Sequence, residues 1–209
     1  MTRIDFIKNY WNYYLSLENR MLQTSSYVAI DFDNSGTFSN EYAILLQAIG
    51  GELDTFFKEY CGFNPDDKKN IADYADFVLS DYPDITKQSI SILGTDMKIT
   101  PFKGWNSGCA KKSLPWWEAY DNIKHSRYEN KKAACQKNTL NILASLFLME
   151  MKYLQKLTDG NNQPDIPDKI SELFSLDGWK FRYIPLNESM ALIDGEINVG
   201  DVHEENGDA

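Results

Sequence analysis

At 209 residues, with 43% hydrophobic and 13% aromatic side chains, the chain holds enough apolar material for one sizeable core, which excludes an intrinsically disordered protein. A formal net charge of -10 excludes unselective coating of nucleic acid but allows a local anion site, because charges are screened over only about 8 Å at physiological salt. Three widely spaced cysteines (Cys61, Cys109, Cys135) and two histidines (His125, His203) exclude a disulfide framework and a multi-histidine metal centre.

No metal and no cofactor are therefore expected, and the thiols read as reduced in a cytoplasmic protein. The best apolar run, Leu140 to Met149, is well short of the ~20 residues a membrane span requires. The N-terminal stretch lacks the pattern of a signal peptide. No membrane association is expected.

Thr2-Arg-Ile-Asp5 has the form of a capping box. Phe6, Tyr10, Tyr13, Leu17, Met21 and Val28 then recur near helical spacing, which predicts a first helix from Thr2 to about Phe32. Asp33-Asn-Ser-Gly36 breaks it, and Ser39 is a good N-cap for the next. In the second helix Tyr42, Leu46, Ile49, Leu53, Phe56 and Tyr60 form one apolar stripe, stopped by Gly62. Gly50-Gly51 inside it costs about 1 kcal/mol per residue against alanine, which a close helix crossing would justify.

A short helix is predicted from Asp66 to Ser80, closed by Pro83. Ser89–Leu93 and Met97–Phe102 alternate on either side of a glycine turn and read as an inserted β-hairpin. Ser113 caps an aromatic helix opened by Leu114-Pro115, and a loop near Tyr128–Asn130 ends it. A last large helix runs from about Lys132 to Leu157, apolar nearly all round, and is expected to be the most buried element. Beyond it come a short helix over Pro167 to Phe174, a strand over Trp179 to Ile184, and a hairpin of Met190–Ile193 with Glu196–Val199 turning at Asp194-Gly195. The acidic tail from Gly200 is expected to be disordered.

The fold class is thus mainly α: an antiparallel helical bundle with small β-hairpin insertions. Residues 1–157 form the bundle domain with a hairpin inserted at about 87–102. Residues 158–199 are an extension of a short helix and a β-hairpin, and 200–209 are the tail.

Between Lys103 and Lys137 the chain reverses its charge, with eight Lys or Arg against three acids. On a helix Trp117, Asp121, Lys124 with His125, and Tyr128 share one face, while Trp116, Tyr120, Ile123 and Arg127 share another. The tryptophans are expected to anchor the helix to the core. Asp121, one turn before His125, is placed to orient its ring, and Glu52 is a second candidate orienting group if it faces inward. Asn122, Lys124, Arg127 and Lys131 offer donors for an anion. The terminal hairpin reads as a cover for one end of the core or an edge for a partner.

The pattern Trp-x-x-Tyr-Asp-Asn-x-Lys-His-x-Arg over Trp117 to Arg127, followed by a long apolar helix, resembles the HEPN superfamily. These are small, often dimeric helical bundles of prokaryotic toxin-antitoxin, abortive-infection and CRISPR-linked systems. The resemblance covers residues 2–157 and implies a homodimer with a role in phage defence or mobile-element biology. It implies binding of RNA, a nucleotide or a protein partner through Lys124, His125 and Arg127. Active members are metal-independent endoribonucleases with an arginine a few residues ahead of an asparagine and a histidine. Here the histidine falls on His125 and the asparagine on Asn122, but Glu118, Ala119 and Tyr120 stand where the arginine is required. The expectation is therefore a non-catalytic or weakly catalytic module. The alternatives are an endoribonuclease with His125 as general base, and a purely structural interaction bundle.

Overall fold

The structure, a computed structural model, describes residues 1–159, 166–176, 190–193 and 196–199. The first helix begins as expected: Thr2 and Asp5 form a reciprocal capping box ahead of α1 (Arg3–Phe6). A π-helical turn over Ile7–Trp11 follows, then α2 (Asn12–Thr24). The helix therefore stops short of Phe32. The hydroxyls of Thr24 and Ser25 donate to the carbonyls of Met21 and Leu22, a local satisfaction that favours ending a helix over extending it.

Helix α3 (Asn40–Cys61) has Ser39 as N-cap and ends at Gly62, whose φ of 72° is the left-handed conformation of a C-terminal stop. Its predicted stripe is buried throughout. Helix α4 (Ile71–Asp81) starts later than expected, because Asn70 and Asp73 form its capping box. Strands β1 (Ile90–Ile92) and β2 (Lys98–Ile99) pair antiparallel as the inserted hairpin. After α5 (Ala110–Ser113), Leu114 occupies the N-cap of α6 (Pro115–Asn130), with Pro115 in the first turn. Ser113 instead donates to Ala110. Helix α7 (Gln136–Thr158) is buried on most of its surface, as its composition requires.

The bundle departs from a uniformly antiparallel one. The Ser39 amide donates to Ala134 at the start of both α3 and α7, while Phe56 and Tyr153 touch near their ends (ring centroids 5.5 Å apart), so these two helices run parallel. Helix α2 runs against α3, with Arg20 paired to Glu41 and Tyr10 against Phe56. Helix α6 runs against it too, with Trp117 on Phe57 and Tyr120 on Gly50. A Cβ on Gly50 would lie 2.3–2.6 Å from Tyr120 ring atoms, so this glycine makes the close crossing; Gly51 faces open space.

Residues 166–173 hold no helix, in contrast to the short helix predicted over Pro167 to Phe174. They follow a bent, irregular path held against the N-terminal helix and continue into β3 (Phe174–Leu176), which pairs antiparallel with β1. The sheet order is β2-β1-β3, so the inserted hairpin and the extension share one sheet. Polar groups hold the segment in place. Arg3 donates to the Ile166 carbonyl, Trp11 Nε1 to the Lys169 carbonyl, and the buried Glu18 carboxylate accepts from Tyr14, Ser171 and the Glu172 amide. Strands β4 (Met190–Ile193) and β5 (Glu196–Val199) pair antiparallel, Met190 opposite Val199, in the predicted hairpin. The predicted strand over Trp179 to Ile184 and the acidic tail lie outside the described residues. Among the described residues no helix is long and apolar enough to cross a membrane.

Candidate functional site

Helix α6 carries the candidate residues, and its packing decides where each one goes. Trp116, Trp117, Tyr120 and Ile123 are buried and lock one side of the helix onto the bundle. The other side puts His125 in solvent, with its side chain 71% exposed. Nε2 of His125 lies 3.3 Å from Asp121 Oδ1, one helical turn back. The other oxygen of Asp121 accepts from Lys111, which α5 brings alongside. The cation that shares an acid with His125 is therefore Lys111, a residue of the basic island not singled out in the motif. Lys124 lies over the Tyr120 ring, 5.4 Å from its centroid. Asn122 is half-buried, and its carbonyl accepts from the Asn130 side chain.

Arg127 does not stay with this group. Ser126 has non-helical backbone angles (φ -151°, ψ 71°) inside α6. Its hydroxyl donates to Glu129, and the sequence Ser-Arg-Tyr-Glu129 is that of a capping box, a helix start written into mid-helix. The restarted turn carries Arg127, Tyr128 and Lys131 to the N-terminus of α3. Together with Phe38, Ser39, Asn40 and Ala43 they line an open cleft of about 370 Å³. Two cations thus face the positive end of a long helix. The rings of Phe38 and Tyr128, 44% and 86% exposed, stand at its edges. The walls from α3 were hidden to sequence reading, although Ser39 was legible as its cap.

Glu52 faces elsewhere. It sits about 200° around α3 from Gly50, the residue that meets α6, and so points away from His125 and Arg127. Its neighbours are Tyr10 and Glu150, both of which respond to its charge. Burial holds the carboxyl of Glu52 above its ordinary range. The same cause acts more strongly on Glu150, which is fully buried in α7 with neither oxygen hydrogen-bonded and is raised well above the usual carboxylate range, Glu52 adding to the shift. The sequence marks Glu150 only as the end of an apolar run.

Among the described residues no group of three or more His, Cys, Asp and Glu side chains is placed to hold a metal ion. Comparison with known proteins gives no assignment: no family model, no curated protein and no solved structure matches the chain.

Proposed function

We propose that the chain is a non-catalytic HEPN-like module that binds RNA through Arg127, near the end of α6, and Lys131, just beyond it. The observation that carries this reading is the convergence of Arg127 and Lys131 with two exposed rings, Phe38 and Tyr128, at the start of α3. Cations that follow a backbone beside aromatic faces that stack bases are the chemistry of single-strand binding. His125 does not line this cleft: its Nε2 faces Asp121, an acid that among the described residues also pairs with Lys111. The family resemblance adds a cytoplasmic homodimer acting in prokaryotic or phage defence.

The test is binding of a labelled single-stranded RNA across a salt series. Wild type should weaken linearly in log-log form, by about 0.7 for each phosphate neutralised. The double variant Arg127→Glu, Lys131→Glu should bind weakly, with a slope shallower by roughly 1.4. Unchanged affinity and slope in that variant would sink the proposal.

A second reading, an endoribonuclease, is favoured by one observation, the Lys111-Asp121-His125 cluster, which puts a cation and a candidate base on one acid. Cleavage in EDTA that is lost in both His125→Ala and Lys111→Ala would replace the non-catalytic reading. Sedimentation of the purified protein decides the homodimer.

A further inference from the structure

On the other side of the loop that precedes α3 lies a second cleft of about 370 Å³, unconnected with the motif around His125. Three segments far apart in sequence build it: the loop with Phe32 and Ser35, the β2 region with Met97 to Lys103, and the first turns of α7 from Gln136 to Asn141. Two of the segments supply three lysines, Lys98 and Lys103 from the β2 region and Lys137 from α7, and among the described residues no acidic side chain lines the cleft. Lys103 and Lys137 are exposed, without an ion-pair partner among the described residues. In a chain of net charge -10 such a convergence is a local reversal of field. The positive end of α7, a 23-residue helix, adds to it.

The cleft is also fixed in shape. Gln136 is fully buried, and its amide donates to the Ala29 carbonyl and accepts from the Asp31 amide. The amides of Gln136 and Lys137 donate to Thr37 and Ser35. These bonds tie the loop to the start of α7 and put Phe32, 61% exposed, at the cleft wall. Asp31 and Asp33 flank Phe32 in the chain, but Asp31 accepts from the Asp33 amide and neither acid lines the cleft. Met97, Ile99 and Leu140 supply an apolar lining, and Ser35, Thr100 and Asn141 supply polar groups. The volume lies within the ~300–1,000 Å³ typical of small-molecule sites.

We propose that this cleft binds a nucleotide, its phosphates held by Lys98, Lys103 and Lys137 and its base lying against Phe32 and the apolar lining. An aromatic ring beside three ammonium groups matches a ligand with a flat face and several negative charges. This inference does not rest on the RNA-binding reading, because it uses none of the residues of the first cleft.

The test is calorimetric titration of the full chain with ATP, tripolyphosphate and adenosine, each without divalent metal. ATP should bind, and adenosine should bind far more weakly. Lys103→Glu and Lys137→Glu should each lower ATP affinity about tenfold or more, a difference of about 1.4 kcal/mol. Phe32→Ala should lower ATP affinity about tenfold while leaving tripolyphosphate unaffected. Arg127→Glu, in the other cleft, should leave ATP binding unchanged, which keeps failure of this site distinct from failure of the first. All four side chains are exposed, and thermal melts establish that the variants remain folded.

A single-stranded RNA that displaces ATP would assign the site to a nucleotide within a strand, and one that does not would assign it to a free nucleotide; both uphold the cleft. The proposal is overturned by absence of ATP binding, by equal binding of tripolyphosphate and ATP with no effect of Phe32→Ala, or by loss of ATP binding in Arg127→Glu alone.

Discussion

Glu150→Met should stabilise the protein at neutral pH. The carboxyl is fully buried, neither oxygen has a hydrogen-bond partner, and the charge of the half-buried Glu52 raises it further. An unsatisfied buried polar group costs about 1–3 kcal/mol, and methionine fills a similar volume without that cost. At roughly 2–4 °C per kcal/mol for a chain of this size, the melting temperature should rise by between about 2 and 12 °C.

The pH dependence is the sharper part of this prediction. In the unfolded chain the group ionises near its ordinary value of about 4.3, and in the folded chain only at higher pH. Above about pH 4.3 the folded state therefore holds one more proton than the unfolded state. This group's contribution to stability falls as pH rises, by up to about 1.36 kcal/mol per unit, until the folded group itself ionises. The advantage of Glu150→Met should accordingly be larger at about pH 7.5 than at about pH 4.5, measured by urea denaturation at each. Glu150→Gln, which keeps a polar group but no proton to lose, should abolish the pH dependence with a smaller gain. A methionine variant less stable than wild type at both pH values, with the same pH profile, would refute the reasoning by showing that the carboxylate is ionised and paired.

Other outcomes follow from the packing. Gly50→Ala should destabilise by about 1–3 kcal/mol, because its methyl group would press into the Tyr120 ring, whereas Gly51→Ala should stabilise by up to about 1 kcal/mol. Equal effects in thermal melts would contradict the crossing at Gly50. Glu18→Ala removes an acceptor shared by Tyr14, Ser171 and the Glu172 amide, should cost about 1.5–3 kcal/mol, and should speed hydrogen exchange at Phe174 and Leu176; unaltered exchange there would dissociate Glu18 from the anchoring of β3. With a thiol reagent at about pH 8, Cys109 should react first, since Cys135 is buried and burial, then the Asp81 charge, pushes the Cys61 thiol up to about 12. Fast labelling that survives Cys109→Ser would count against this order.

The helices were legible wherever one residue type acted through its own neighbours. The α3 stripe, its Ser39 and Gly62 ends, the apolar α7 and the pairing of Met190–Ile193 with Glu196–Val199 all rest on spacing and local pattern, and the structure has them; the turn residues Asp194 and Gly195 lie outside the described residues. The misreadings have long-range causes. Pro167 to Phe174 looks helical alone, but Phe174 and Leu176 are claimed by the free edge of β1 and the preceding backbone by Trp11 and Glu18. The direction of Glu52 depends on which face of α3 meets α6, and that is decided at Gly50. The charge reversal between Lys103 and Lys137 was visible as composition. That Lys103 and Lys137 meet in one cleft, Arg127 and Lys131 in another, and Lys111 pairs with Asp121, depends on chain reversals that no local pattern records. One signal was present and overlooked: Ser126 and Glu129 spell a helix start, and the helix breaks there.

The anchoring of residues 166–176 on Arg3, Trp11, Tyr14 and Glu18 has a consequence for synthesis. The first helix leaves the ribosome early, but its buried tyrosine and glutamate find Ser171 and Glu172 only after nearly the whole described chain has followed. Strand β1 likewise waits for β3. Closing such long loops is slow, because their entropy is lost before any contact compensates. A nascent chain halted after α7 would therefore present an open sheet edge and a half-satisfied polar row, the kind of surface that chaperones hold and proteases find. Truncation near Thr158 is the change this protein should tolerate least.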